Sequence, residues 1–265
     1  MKFPQCEEEW KQIALEFKQR WNFDTCVGAI DGKHINIVKP PNSGSIYYNY
    51  KGKFSIVLMA VVDAQYKFIM VQTGRNGRVS EGGVLYHTTF YDKLVNGTLN
   101  LPKPENVEGT QFTLPYVFVG DEAFPLLPNL MKPYPRKKLN PDERIFNYRQ
   151  SRARRIVENA FGIMSSRFGV FKTDISLSVD KVDCIVLACC ASYNFLRDES
   201  KHYIPPRYAD EEDVEVGELR FGQWREERQL TPLQRMTRPT TVATTEARSQ
   251  YKQYFNSVGS VPFAE

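Results

Sequence analysis

Four acids stand where chemistry could be done. Asp31 closes the apolar run VGAID, Asp121 closes YVFVGD, Glu158 follows a basic turn in RRIVE, and Glu81 follows GRVS. Each has a plain alternative. Asp31 and Asp121 could begin tight turns, and Glu81 could complement a helix dipole. Glu158 could pair with Arg154 and Arg155 on a solvated helix face. Carboxylates brought together repel unless a cation joins them. An all-oxygen set suits Mg²⁺ or Mn²⁺ rather than zinc. Two such ions can activate a water or hydroxyl and stabilise the leaving oxygen of a phosphodiester.

The elements that must position these acids are legible in the pattern. Asn140 to Phe168 predicts one long helix, with Asn140 as cap, Pro141 in the first turn and Glu143 completing a capping box. Ile145, Tyr148, Ile156, Ala160 and Met164 recur at helical spacing, and Ser151, Arg154, Arg155, Glu158, Phe161 and Gly162 share a neighbouring stripe. Val27–Asp31 and His34–Lys39 are expected as two strands. Phe54–Asp63 reads as a strand buried on both faces, with Phe68–Thr73 as its hairpin partner. A helix is expected from about Ser80 to Leu94, a buried strand at Tyr116–Gly120, and a last core helix from Ser178 to Leu196. This order predicts an α+β or mixed α/β fold, one mixed sheet flanked by helices. Asp31 and Asp121 then fall at strand ends, where ligands of such sheets gather.

With 265 residues, 42% hydrophobic and 25% charged, the chain is long enough for a buried core and has the composition of a globular protein. No signal peptide or membrane-length apolar run is visible. Five cysteines without a C-x-x-C pair argue against a disulfide framework or a zinc site. The formal charge of +4 is unevenly spread. Lys132, Arg136, Lys137, Lys138, Arg144, Arg149, Arg152, Arg154 and Arg155 crowd one region, as a polyanion-binding surface would. Lys33 and Arg155 could contact phosphate beside the acids. His34 either packs on its strand or donates toward the site. Three divisions are expected: a leader helix in 1–22, the main domain in 23–200, and a charged, partly disordered tail in 201–265 with a short terminal helix.

Several ordered motifs carry a resemblance over roughly residues 1 to 200: GAIDGKHINI, YYNYKGKFSIVLMAVVDAQYKF, GRVSEGGVL, YVFVGDEAFPL, RIFNYRQSRARRIVENAFGIMSSRF and ASYNFLRD. The chain resembles the nuclease domain of Harbinger-type DDE transposases and the domesticated nucleases descended from them. The resemblance implies an RNase H-like fold and a catalytic triad of Asp31, Asp121 and Glu158. It also implies Glu81 as a further metal ligand, where relatives usually carry Asp. With these come Mg²⁺ or Mn²⁺ as a pair of ions, and DNA as substrate, held by Lys33, Arg136, Lys137, Lys138, Arg152, Arg154 and Arg155. A separate DNA-binding accessory protein, a homo-oligomer and a nuclear location follow as expectations. Relatives carry a helix-turn-helix-like segment upstream, which the leader helix does not supply. The alternative function is a binding module that keeps the fold without the chemistry.

Overall fold

The computed structural model of the protein describes residues 1–76, 81–200, 202–213, 218–227, 229–234 and 242–261, with the backbone alone of 75–76, 81–82 and 242–243. Helix α1, Glu7–Trp21, leads into strand β1, Cys26–Asn36. Strands β2, Ser55–Val62, and β3, Phe68–Asn76, form the expected hairpin. The helix expected next is two short ones, α2 at Glu81–Leu85 and α3 at Thr89–Val95. Thr88 breaks the run because its hydroxyl caps α3 by accepting from Tyr91 N. Then come β4, Val117–Val119, and β5, Leu130–Met131. Helix α4, Pro141–Arg167, carries the expected Asn140–Glu143 capping box. It is followed by α5, Val179–Glu199, the short strand β6, Thr231–Pro232, and α6, Val242–Phe255.

The strands form one mixed sheet in the order β3-β2-β1-β4-β5, with β6 also paired to β1. β1, β2 and β3 are antiparallel, whereas β4 runs parallel to β1 and β5 parallel to β4. This is the mixed sheet flanked by helices that the sequence predicts, and it is consistent with an RNase H-like fold.

One correction concerns β1. It is a single strand of 11 residues rather than two, and it runs straight through Asp31-Gly32-Lys33. Met59 and Leu58 of β2 pair with Gly32 and Lys33, so no turn opens there. Asp31 therefore lies within a strand and not at its end. Its direction follows from alternation. Ala29 packs in the cluster that holds Ile156, Val157 and Ala160 of α4, whereas Ile30 packs in the opposite layer with Trp10, Leu85 and Phe90. Asp31, two residues after Ala29, thus shares the face that α4 covers.

Beyond residue 200 the expected short terminal helix is α6, and several described residues pack on the main domain. Trp224, Tyr251 and Phe255 are buried in the main core, and Thr231 and Pro232 pair with His34 and Lys33. The charged composition of this stretch conceals a few large aromatic anchors, and these tie it to the domain.

Candidate functional site

Three distant segments supply the acids of one cleft. Val119 pairs with Ala29, and Asp121 follows two residues after Val119 as Asp31 follows Ala29. The two aspartates thus leave neighbouring parallel strands toward the same face. Asp121 turns the chain by accepting from Ala123 N on Oδ1 at 2.8 Å. Asp31 accepts from Gly32 N on Oδ1 at 2.8 Å, and its Oδ2 lies 2.7 Å from Lys33 Nζ. That second contact is an ion pair without the angles of a directed hydrogen bond.

Helix α4 supplies the third acid. Gln150, Arg154, Glu158 and Gly162 follow at steps of four and form one stripe. Gln150 Nε2 donates to Gly120 O at 2.5 Å, fastening the stripe beside Asp121. Asp31, Asp121 and Glu158, with Lys33, Arg154, Phe161, Gly162, Trp224 and Arg225, line a cleft of about 210 Å³. Of the two arginines expected beside Glu158, Arg154 pairs with it and Arg155 does not. Glu158 lines the cleft, and its Oε1 is 2.6 Å from Arg154 Nη1.

Electrostatics tie the group together. Burial alone would lower the Arg154 pKa, but Glu158, Asp31 and Asp121 outweigh it and hold that pKa above the ordinary arginine value. Burial would likewise raise the Glu158 carboxyl. Arg154, Lys33 and Arg225 outweigh that and keep it below the ordinary glutamate value. Glu158 is therefore ionised at neutral pH.

The acids offer oxygen alone, with no histidine or cysteine among the described residues that line the cleft, and this donor chemistry fits a hard divalent cation. As the side chains stand, no three acids among the described residues lie close enough to share an ion. Lys33 and Arg154 hold the carboxylates instead. Glu81 opens α2, but its side chain lies outside the described residues.

The expected DNA-contacting residues divide. Lys33 and Arg154 line the cleft. Arg136, Lys137 and Lys138 are exposed, and Arg136 shares an adjoining depression with Asp121 and Arg154. Arg152 and Arg155 are a correction. Arg152 is 4% exposed, and its Nε lies 3.0 Å from Glu212 Oε2. Arg155 Nη1 lies 3.3 Å from the same oxygen. Tyr148 Oη donates to Glu212 Oε1 at 2.5 Å. Glu212 is almost wholly enclosed, so it requires these cations, and they face it rather than solvent. His34 packs: it is 1% exposed with Nδ1 2.9 Å from Ser55 Oγ.

Five residues beyond 220 were not expected at the site. Trp224, Arg225, Gln229, Leu230 and Pro232 form one wall of the cleft. Gly162 makes room for them, since a Cβ there would stand 2.0 Å from Trp224 Cε3. The space that a side chain at 162 would take is thus filled by an indole.

Comparison with known proteins bears on the same acids. The model of the family described as DDE superfamily endonuclease matches residues 30–194, a span that includes Asp31, Asp121 and Glu158. An Arabidopsis thaliana protein named Protein ALP1-like is 29% identical over 195 residues, covering 71% of this chain and 47% of the relative. The chain thus spans about half the length of the curated relative it matches. No solved structure matches. With a family model matching more than half its length, and the three acids within that span gathered on one cleft, the chain belongs to the DDE superfamily endonucleases.

Proposed function

We propose that this chain is the catalytic domain of a Harbinger-type, divalent-metal-dependent DNA endonuclease that cleaves phosphodiester bonds and transfers strands, acting in the nucleus. The carrying observation is that Asp31, Asp121 and Glu158, from three segments far apart in sequence, line one cleft and together act on Arg154. These three would hold Mg²⁺ or Mn²⁺, with Glu81 as a further oxygen ligand. The bound ions would supply Lewis-acid activation and charge neutralisation at the phosphate.

The chain's own residues prepare the rest. Ala123 N and Gly32 N orient Asp121 and Asp31. Lys33 and Arg154 hold the acids in place and are cations suited to phosphate once a substrate enters. Arg136, Lys137 and Lys138 extend a basic surface from the cleft and would bind the DNA backbone without reading sequence. Cleavage and a bare binding role are separated by a nicking assay on supercoiled DNA with Mn²⁺ or Mg²⁺, run beside Asp121→Asn. Metal-dependent nicking by the parent alone supports the proposal, and no nicking by either overturns it.

One observation favours a second reading, a binding module without the chemistry. Asp31 and Glu158 both carry cationic partners, Glu158 two of them. If that pairing is permanent, Mn²⁺ will leave the melting temperature unchanged.

A further inference from the structure

The wall opposite the aspartates contains a cation that the family match does not reach, since the match ends at residue 194. Arg225 is held on two sides. Its Nε donates to Asp210 Oδ1 at 2.8 Å and its Nη2 to Asp210 Oδ2 at 2.5 Å. The Asp210 side chain is fully buried and also accepts from Gly222 N. The guanidinium lies over the Trp224 ring, 4.4 Å from its centroid.

Trp224 is itself locked. Its Nε1 donates to Asn159 Oδ1 at 2.7 Å, the same oxygen that accepts from Asp210 N at 2.9 Å. Asn159 and Gly162 flank the Glu158 turn of α4, so the docking that seats Trp224 also carries Arg225 to the acids. Arg225 Nη2 stands 3.7 Å from Glu158 Oε2. Its remaining edge, Nη1, makes no hydrogen bond among the described residues. A planar cation fixed by a buried carboxylate and an indole loses little freedom on binding, and its fork matches phosphate oxygens.

We propose that Arg225 is a phosphate-binding residue of the cleft, delivered by the docking of Trp224 on α4 and prepositioned by Asp210 and Trp224. This rests on the reading of the cleft as a DNA site. Arg225 reaches the cleft from outside the sheet and α4, and adds to Lys33 and Arg154 a third cation along its lining.

The test is duplex-oligonucleotide binding in EDTA, measured by fluorescence anisotropy across a salt series. Removing one neutralised phosphate lowers the slope of log K against log salt by about 0.9. Arg225→Gln is expected to show that decrease, with roughly tenfold weaker binding at low salt. Arg225→Lys keeps the charge and is expected to keep the slope. A parental slope in Arg225→Gln overturns the inference, as does an equal decrease in Arg225→Lys, because the effect would then follow the docking and not the cation. Nicking by the parent alongside a parental slope in Arg225→Gln sinks this inference alone. A parent with no salt-dependent DNA binding sinks the DNA reading with it.

Discussion

Asp31 and Asp121 stand level, each two residues beyond Ala29 and Val119, which pair across neighbouring parallel strands. Parallel pairing makes the relationship one of register, so it persists whatever the side chains do. Asp→Asn changes at these positions keep the turn and strand geometry in place, since an amide oxygen can still accept from Gly32 N or Ala123 N. Asp31→Asn and Asp121→Asn are expected to fold with nearly the parental melting temperature. Metal-supported nicking should fall by at least about 100-fold, because even the partners of metal ligands cost 10- to 100-fold when removed. A melting scan beside the nicking rate checks both halves.

Gly162 and Trp224 form a matched notch and plug. Gly162→Ala places a methyl group inside the indole's volume and should destabilise by about 1–3 kcal/mol, through overpacking. Trp224→Ala should cost about 3–5 kcal/mol through reduced burial. The double variant should be more stable than the sum of the two predicts, since the alanine methyl then meets no ring. Denaturant melts of the four proteins close the cycle, and strict additivity would break the notch-and-plug account.

The buried Arg152–Glu212–Arg155 cluster and the exposed Arg136–Lys138 loop should part company experimentally. Arg152→Ala leaves Glu212 with weakened compensation and should cost on the order of 3 kcal/mol, with the salt slope of DNA binding unchanged. Neutralising Arg136, Lys137 and Lys138 together should leave the melting temperature within a degree or two of the parent. The salt slope should flatten by up to about 0.9 for each phosphate that the loop no longer neutralises. A slope that moves with Arg152 and not with the loop would reverse the assignment.

His34 and Asp63 should pull the acid stability curve in opposite directions. Burial, helped by Lys33, pushes the His34 imidazole down to about 4. The unfolded chain therefore binds the extra proton first as pH falls below the ordinary histidine value of about 6.5. Stability from His34 is full above that value and is lost between it and about pH 4, on the order of 3 kcal/mol in all. Burial pushes the Asp63 carboxyl up to about 6. The folded protein then binds the extra proton first, so this contribution is present at low pH and is lost as pH rises toward 6. His34→Gln should therefore gain stability relative to the parent as pH falls from 6.5 toward 4. Asp63→Asn should lose relative stability over the lower part of that window. Urea melts at intervals of half a pH unit measure both differences.

The mixed sheet, the long capped helix and the acids at 31, 121 and 158 are readable in the sequence because each rests on local signals. These are apolar runs of strand length, a capping box, and an acid after a buried strand. The direction of Asp31 is less so, since Ile-Asp-Gly suggests a turn and only the β2 partners Leu58 and Met59 show that the strand continues. Charge counting cannot separate Arg152 from Arg154, although they are two residues apart. Their fates differ because Glu212, far along the chain, waits on one side of α4 and the aspartates on the other. Arg225 leaves almost no local trace. One tryptophan in a charged stretch and one glycine in a helix have no shared period, and their fit appears only when the chain has folded back. Gly162 is the available hint, since a glycine inside a helix asks what lies against it.

The strand β6 and the Trp224 plug have a consequence for how the protein is made. The cleft takes its walls from Asp31, Asp121, Glu158 and Arg225, so a nascent chain cannot complete it until Arg225 has left the ribosome. At about 5–20 residues per second, the interval between synthesis of the first acid and of that arginine is roughly 10–40 s. From Gly162 to Arg225, roughly 3–13 s at the same rate, the acids lie beside a groove open at Gly162 and an unpaired edge of β1 at Lys33–His34. A segment synthesised late is thus what turns a folded sheet into a finished cleft.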